Sequence, residues 1–66
     1  MNERLKRALL LKGISQGELA RRTGITAAAV SRYINGSREP RPKALKKIAK
    51  VLGVSVDYLV GDERDE

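Results

Sequence analysis

The sequence has no cysteine and no histidine, and it has only two aromatic residues among its 66 residues. Disulfides and a zinc site built from Cys and His are therefore excluded. A glycine-rich phosphate loop and a converging carboxylate pair are also missing, so no nucleophile, general base or metal cage is evident. These absences predict a protein that is not an enzyme, uses no cofactor or metal and has no evident small-molecule ligand.

Long apolar segments are missing as well. The longest uninterrupted apolar runs are residues 8–11 and 27–30, whereas a membrane span needs about 20 apolar residues. The N-terminus carries charges but has no apolar stretch behind them, which argues against a signal peptide. The sequence therefore predicts a cytoplasmic protein with no membrane partner.

Basic charge is abundant and unevenly distributed. The net charge is +6, but residues 62–66 contain four acids and one arginine. Residues 1–61 therefore have thirteen Lys or Arg against four Asp or Glu, a net charge of +9. We predict one basic domain over 1–61 and an acidic C-terminal tail over 62–66. Such a domain attracts polyanions, and charge alone does not choose between nucleic acid and a membrane surface.

The local pattern indicates helices throughout, because β-branched residues are scattered and do not alternate. Ser15, followed by Glu18, forms a capping box, and Thr26 and Ser55 begin later apolar patterns in the same way. Glycines follow the expected helix ends, and Pro42 suits a first helical position. The predicted helices cover residues 3–12, 16–23, 27–34, 42–52 and 55–60. We therefore predict a compact, five-helix, all-α domain.

The second and third helices are separated only by Gly24-Ile25-Thr26. So short a turn sets two helices at a steep angle. Leu19 and Ala20 should then face the apolar side of the third helix, whose opposite side stays exposed. An exposed helix about 10–12 Å across fits the major groove of DNA. This arrangement predicts a helix-turn-helix that binds double-stranded DNA.

Two sequence patterns resemble one known family. Residues 15–33 read S-Q-x-E-L-A-x-x-x-G-I-T-x-x-x-V-S-R-Y, and residues 45–59 read L-x-x-I-A-x-x-L-G-V-S-V-D-Y-L. In order and spacing they resemble the phage lambda-repressor/Cro-like helix-turn-helix family, a likeness that extends over residues 5–60. The resemblance implies a lambda-repressor-like domain that regulates transcription, usually as a dimer on a palindromic operator.

The resemblance also implies roles for individual residues. The positions that face base edges in this family correspond here to Ala27, Ala28, Ser31 and Arg32. The positions that contact the sugar-phosphate backbone correspond to Gln16, Thr26, Asn35, Arg38 and Lys43. For Gln16 there is an independent reason, since an amide side chain at a helix N-terminus suits a phosphate. Lys46, Lys47 and Lys50 are interpreted as a solvated face of the fourth helix.

This sequence departs from the family at the run Ala27-Ala28-Ala29, where many members carry side chains that hydrogen-bond. Alanine can at best contact a thymine methyl group. Specificity should then rest on Arg32, Ser31 and DNA shape. The simpler interpretation is that alanine favours the helix, and we adopt it for Ala29, which we expect to be half-buried.

A second departure concerns the core, where many relatives pair a buried arginine on the first helix with an acid on the third. The corresponding residues here are Leu9 and Ile34. An apolar pair at such a position is often neutral or stabilising, because no charge has to be desolvated.

The last helix carries more apolar residues than one short helix can bury. Leu59 should point inward, which leaves Val56, Tyr58 and Val60 as the candidate dimer contact. Two copies joined there would set their third helices about 34–36 Å apart, one turn of DNA. The alternative is that these residues only cover their own core.

Together these patterns predict a sequence-specific regulator of transcription, a repressor that binds a palindromic operator as a homodimer through the major groove. The alternative is a weakly specific DNA-binding module, or an antitoxin-like adaptor that acts through a protein partner. The sequence leaves open the operator, the choice between repressor and activator, and a further C-terminal domain.

Overall fold

The computed structural model describes residues 2–61, and they form five α-helices. These are α1 (Asn2–Lys12), α2 (Gln16–Thr23), α3 (Ala27–Asn35), α4 (Pro42–Leu52) and α5 (Val56–Val60). The predicted all-α, five-helix fold is confirmed. Helix α1 begins at Asn2, one residue before its predicted start, a difference that is ordinary at helix ends. The acidic tail predicted over 62–66 lies outside the described residues.

Side-chain caps fix where three of the helices begin. Ser15, Thr26 and Ser55 each accept a hydrogen bond from the backbone N–H three residues later, at 2.9–3.1 Å. Each such cap contributes about 1 kcal/mol to stability. Helix α4 begins differently: the side chain of its N-cap residue, Arg41, makes no capping hydrogen bond, and Pro42 is in the first turn. A proline at this position loses no hydrogen bond, because the first N–H groups of a helix have no partner within the helix.

One fully buried residue from each helix meets at the centre of the domain. These five residues are 0–1% exposed, and they are Leu5, Leu19, Val30, Ile48 and Leu59. Burying a side chain of this size stabilises the fold by about 1.5–3 kcal/mol. Helix α1 packs against α3 and helix α4 packs against α2, while α5 packs against α1 and α4.

Leu9 on α1 and Ile34 on α3 are both buried, each 7% exposed. The two helices pack against each other. Leu9 and Ile34 thus form the apolar pair that the sequence predicted in place of the buried ion pair of many relatives. Within residues 2–61, no helix combines the length and the hydropathy needed to cross a bilayer.

Candidate nucleic-acid interface

The turn between α2 and α3 is held by Gly24 and Thr23. Gly24 has a φ of +76°, a left-handed conformation that glycine adopts without strain, and its N–H bonds to Ala20 O at 2.9 Å. Thr23 is 7% exposed. Its Oγ1 donates to Leu19 O at 2.8 Å and accepts from the Ile25 N–H at 3.2 Å. A single buried hydroxyl thus links the last turn of α2 to the segment that leads into α3.

Helix α3 divides cleanly into a buried side and an exposed side. Val30, Tyr33 and Ile34 are buried, and Ala29 is half-buried as interpreted from the sequence. The predicted base-reading residues are all exposed, and they are Ala27, Ala28, Ser31 and Arg32. With 3.6 residues per turn, these four positions fall on one face of the helix. The structure therefore brings the four residues together on a surface that a DNA groove can reach.

The five predicted backbone-contacting residues are exposed too, and they lie on different elements. Gln16 is the first residue of α2, and Thr26 is the N-cap of α3. Asn35 ends α3, where its Oδ1 accepts from the Ser37 N–H at 2.9 Å. Arg38 and Lys43 line a common cleft.

That cleft lies between the C-terminal part of α3 and the start of α4, and its volume is about 300 Å³. Four cations line it, and we call it the α3–α4 cleft: Arg38, Arg41, Lys43 and Lys47, with Ile25, Tyr33 and Ala44. No carboxylate is among the lining residues. Several cations that converge beside an exposed helix can hold phosphate groups of a nucleic-acid backbone.

The sequence prediction missed Arg41 and Lys47 as members of this cleft, and it missed Thr23 as the residue that holds the turn. The basic run over residues 38–50 was the available signal for the first two. For Thr23 the sequence offers no distinct signal, because threonine near a helix end is common.

Another charged group on the helix-turn-helix is Glu18 on α2. Its carboxylate is bound by Arg21 and by Arg22, whose Nε lies 2.7 Å from Oε2. The capping box predicted at Ser15 is thus present in its serine half, while the Glu18 carboxylate faces the two arginines. The hydrogen bond from Arg22 lowers the pKa of Glu18 below its ordinary value of 4.5. Glu18 therefore stays ionised and partly neutralises the cations of α2.

No cluster of metal-ligating side chains occurs in the part of the chain that the structure describes. The arrangement is that of an exposed helix, set by a tight turn and flanked by cations. Its chemistry is binding by shape and charge, and this defines the class of helix-turn-helix DNA-binding domains.

Comparison with known proteins supports this class. A model of the helix-turn-helix family matches residues 5–59. The chain is 42% identical over 65 residues to YqaE, an uncharacterised HTH-type transcriptional regulator of Bacillus subtilis, which covers 98% of this chain and 56% of the relative. It is 35% identical over 66 residues to YopO, an SPbeta prophage-derived regulator of the same kind, which covers 100% of this chain and 94% of that relative. It is 38% identical over 51 residues to the 26 kDa repressor protein of Escherichia phage HK022, which covers 77% of this chain and 22% of the repressor.

The chain belongs to the helix-turn-helix family of the Cro/C1 type, whose members bind double-stranded DNA and regulate transcription. Members of this family are non-enzymatic DNA-binding proteins. The chain spans about half the length of the first curated relatives that it matches, 56% and 54%. No solved structure gives a significant match.

Proposed function

We propose that this domain is the DNA-reading part of a cytoplasmic repressor, which binds a palindromic operator as a homodimer. The observation that carries the proposal is the exposed face of α3, with Ala27, Ala28, Ser31 and Arg32 beside the four-cation α3–α4 cleft. The likeness to a phage repressor supports repression as the regulatory outcome.

On the base-reading face, Arg32 is the residue that can specify a base directly. An exposed guanidinium can bond O6 and N7 of one guanine together, the commonest specific contact in the major groove. Ser31 lies on the same face and can donate to or accept from a base edge. Ala27 and Ala28 lack polar atoms beyond the backbone, so they allow the helix to approach closely and can contact a thymine methyl group.

The backbone contacts fix the register of α3 in the groove. Arg38 and Lys43 share the α3–α4 cleft, which makes them the strongest candidates for phosphate binding. Gln16 and Thr26 lie at the N-terminal ends of α2 and α3, where phosphates commonly bind. Asn35, at the C-terminal end of α3, can donate from its side-chain amide.

The proposed dimer contact involves α5, where Val56, Tyr58 and Val60 are half-buried and pack against the domain's own core. Arg4 holds Tyr58 from α1: its guanidinium carbon is 5.0 Å from the ring centroid, and Nη1 donates to Tyr58 O at 3.3 Å.

Additional apolar surface adjoins this contact. Leu11 is 78% exposed, and it lines a groove with Tyr58, Val54, Leu52 and Ala8. We therefore propose that the dimer contact extends from α5 onto Leu11, because α5 alone leaves little apolar surface uncovered.

Selection from a random library of double-stranded DNA at fixed, near-physiological salt tests the proposal. Recovery of a palindrome with half-sites about one turn apart supports it. Arg32→Ala should then cost about 1–3 kcal/mol on the selected site and relax specificity at one base pair per half-site. Lys43→Ala is the matched control, because loss of a phosphate contact weakens all DNA alike and lowers the salt slope by about one. Equal weakening of selected and random DNA by Arg32→Ala would refute its base-reading role.

A second candidate is a weakly specific or antitoxin-like module that acts through a protein partner. It is favoured by the two exposed leucines of α1, Leu10 at 81% and Leu11 at 78%, and by the alanines of α3. Retention of DNA without any enriched sequence in the same selection would favour this candidate over the operator-binding repressor.

A further inference from the structure

Helix α4 carries a line of four lysines, and the proposed half-site contacts involve only some of them. Lys43, Lys46, Lys47 and Lys50 follow the spacing i, i+3, i+4, i+7, and α4 contains no acidic residue. At 3.6 residues per turn these four side chains form one stripe along the helix. The stripe lies opposite the buried face formed by Leu45, Ile48, Ala49 and Leu52. We call it the lysine stripe.

The lysine stripe is unfavourable for the free domain. Neighbours at i, i+3 and i, i+4 lie about 5–6 Å apart at Cβ, and like charges at these spacings destabilise a helix. Over residues 2–61 the ion pairs both belong to Glu18 on α2, so no acid offsets the stripe. A polyanion that binds along α4 would relieve this repulsion.

Clefts on both sides of α4 make the stripe part of a wider cationic surface. On one side is the α3–α4 cleft, to which Lys43 and Lys47 contribute. On the other side a cleft between α2 and α4 is lined by Arg22, Thr23, Lys47, Lys50 and Val51. Lys47 lines both clefts. Cationic side chains therefore continue from the end of α3, across α4, to the end of α2.

The dimensions of the stripe match a DNA backbone. From Lys43 to Lys50 the helix advances about 10 Å at 1.5 Å per residue. Along one strand of DNA a phosphate occurs about every 3.4 Å of axis, so the stripe corresponds to about three phosphates. Phosphates next to α3 would lie at the α3–α4 cleft. Lys50 lies about two helical turns farther along α4 than Lys43.

We infer that the lysine stripe is a second backbone-binding surface, which contacts phosphates of the duplex that flanks the half-site. This inference rests on the proposed DNA-binding function. The lysine stripe would add affinity that does not depend on the DNA sequence, because phosphate contacts position a protein and do not read bases. It also implies that flanking DNA is drawn toward α4 when α3 occupies the groove.

The test compares two duplexes that carry the selected site, one that ends at its edges and one with flanks of about one helical turn on each side. The variant is Lys46→Gln/Lys50→Gln, since neither residue lines the α3–α4 cleft. Glutamine keeps the helix propensity of lysine, so the fold should be retained, and circular dichroism checks this. The control is Lys6→Gln/Arg7→Gln on α1, which removes the same charge from exposed residues outside both clefts.

The salt dependence of binding is the readout. On the flanked duplex, the α4 variant should lower the slope of log K against log salt by about 1.8, and it should change the slope little on the short duplex. The control should leave both slopes near the wild-type values. An unchanged slope on the flanked duplex, or an equal change from the control variant, overturns the inference.

The outcomes also separate this inference from the proposed function. If the wild type binds the short duplex but the α4 variant leaves the slope on the flanked duplex unchanged, the repressor proposal stands and only the flanking contact is removed. If the wild type binds neither duplex, the proposed function fails and the inference fails with it.

Discussion

Replacing Thr23 with valine should loosen the turn that sets α3 against α2. Valine keeps the shape of the buried side chain, but it removes the hydroxyl that accepts from the Ile25 N–H at 3.2 Å and donates to Leu19 O at 2.8 Å. Thr23 is 7% exposed, so water replaces the lost partner poorly.

The expected loss of stability follows from the donor and acceptor bonds of the hydroxyl separately. The hydroxyl donates to Leu19 O and to Ala20 O, and both carbonyls also have backbone N–H partners four residues later, so losing this donor costs little. The N–H of Ile25 loses its acceptor in a partly buried turn. An unsatisfied backbone group of this kind costs about 1–2 kcal/mol, the lower part of the known range. For a domain of this size, that corresponds to a fall in Tm of about 4–16 °C.

Thermal unfolding followed by circular dichroism, together with hydrogen exchange of the Ile25 amide, tests this prediction. Thr23→Ser is the control, because it keeps the hydroxyl and loses one methyl group, worth about 0.8 kcal/mol. Both variants should be less stable than the wild type, but only Thr23→Val should speed exchange at Ile25. A Thr23→Val protein with wild-type Tm and a protected Ile25 amide would show that the hydroxyl does not hold the turn.

Two further predictions concern the dimer surface and the charge pair on α2. Leu11→Gln should weaken dimer formation on operator DNA. The control Leu10→Gln, one position away on α1 and outside the groove that Leu11 and Tyr58 line, should leave dimer formation unchanged. Sedimentation of the protein–DNA complexes measures both variants, and equal effects would contradict the proposed contact. Glu18 has a lowered pKa in the folded state, so its stabilising effect should be complete above pH 4.5 and lost as the pH falls through the lowered value. The gap in Tm between the wild type and Glu18→Gln should therefore close in acid, and a gap that persists at pH 2 would exclude this linkage.

The fold was predictable from the sequence because its helix ends are marked by local chemistry. Ser15, Thr26 and Ser55 accept bonds from N–H groups three residues away, so short sequence windows contain the whole interaction. Gly24 marks the end of α2 through its positive φ in the same local way. Helix bounds predicted from such signals agree with the structure to within one residue.

The parts of the candidate site that the sequence did not reveal depend on contacts between distant parts of the chain. The α3–α4 cleft brings Ile25 and Tyr33 to Lys47, and no periodic pattern links these positions. The groove that Leu11 forms with Tyr58 was equally hidden, because it joins α1 to α5. Val56, Tyr58 and Val60 are half-buried because neighbouring helices cover part of α5. Counting the apolar residues that one short helix cannot bury therefore overestimates the exposed apolar surface of α5.

The sparse chemistry of α3 sets a limit on how this domain can recognise its operator. One Arg32 in a bidentate contact with guanine discriminates by about 1–3 kcal/mol, so two half-sites provide about 2–6 kcal/mol. Specific sites are usually preferred over random DNA by about 4–10 kcal/mol. A monomer with a single reading arginine would fall short of that range, which makes the second copy a requirement of the repressor proposal. The remaining discrimination must come from Ser31, from methyl contacts of Ala27 and Ala28, and from the shape of the DNA, because phosphate contacts along α4 raise affinity for every sequence alike.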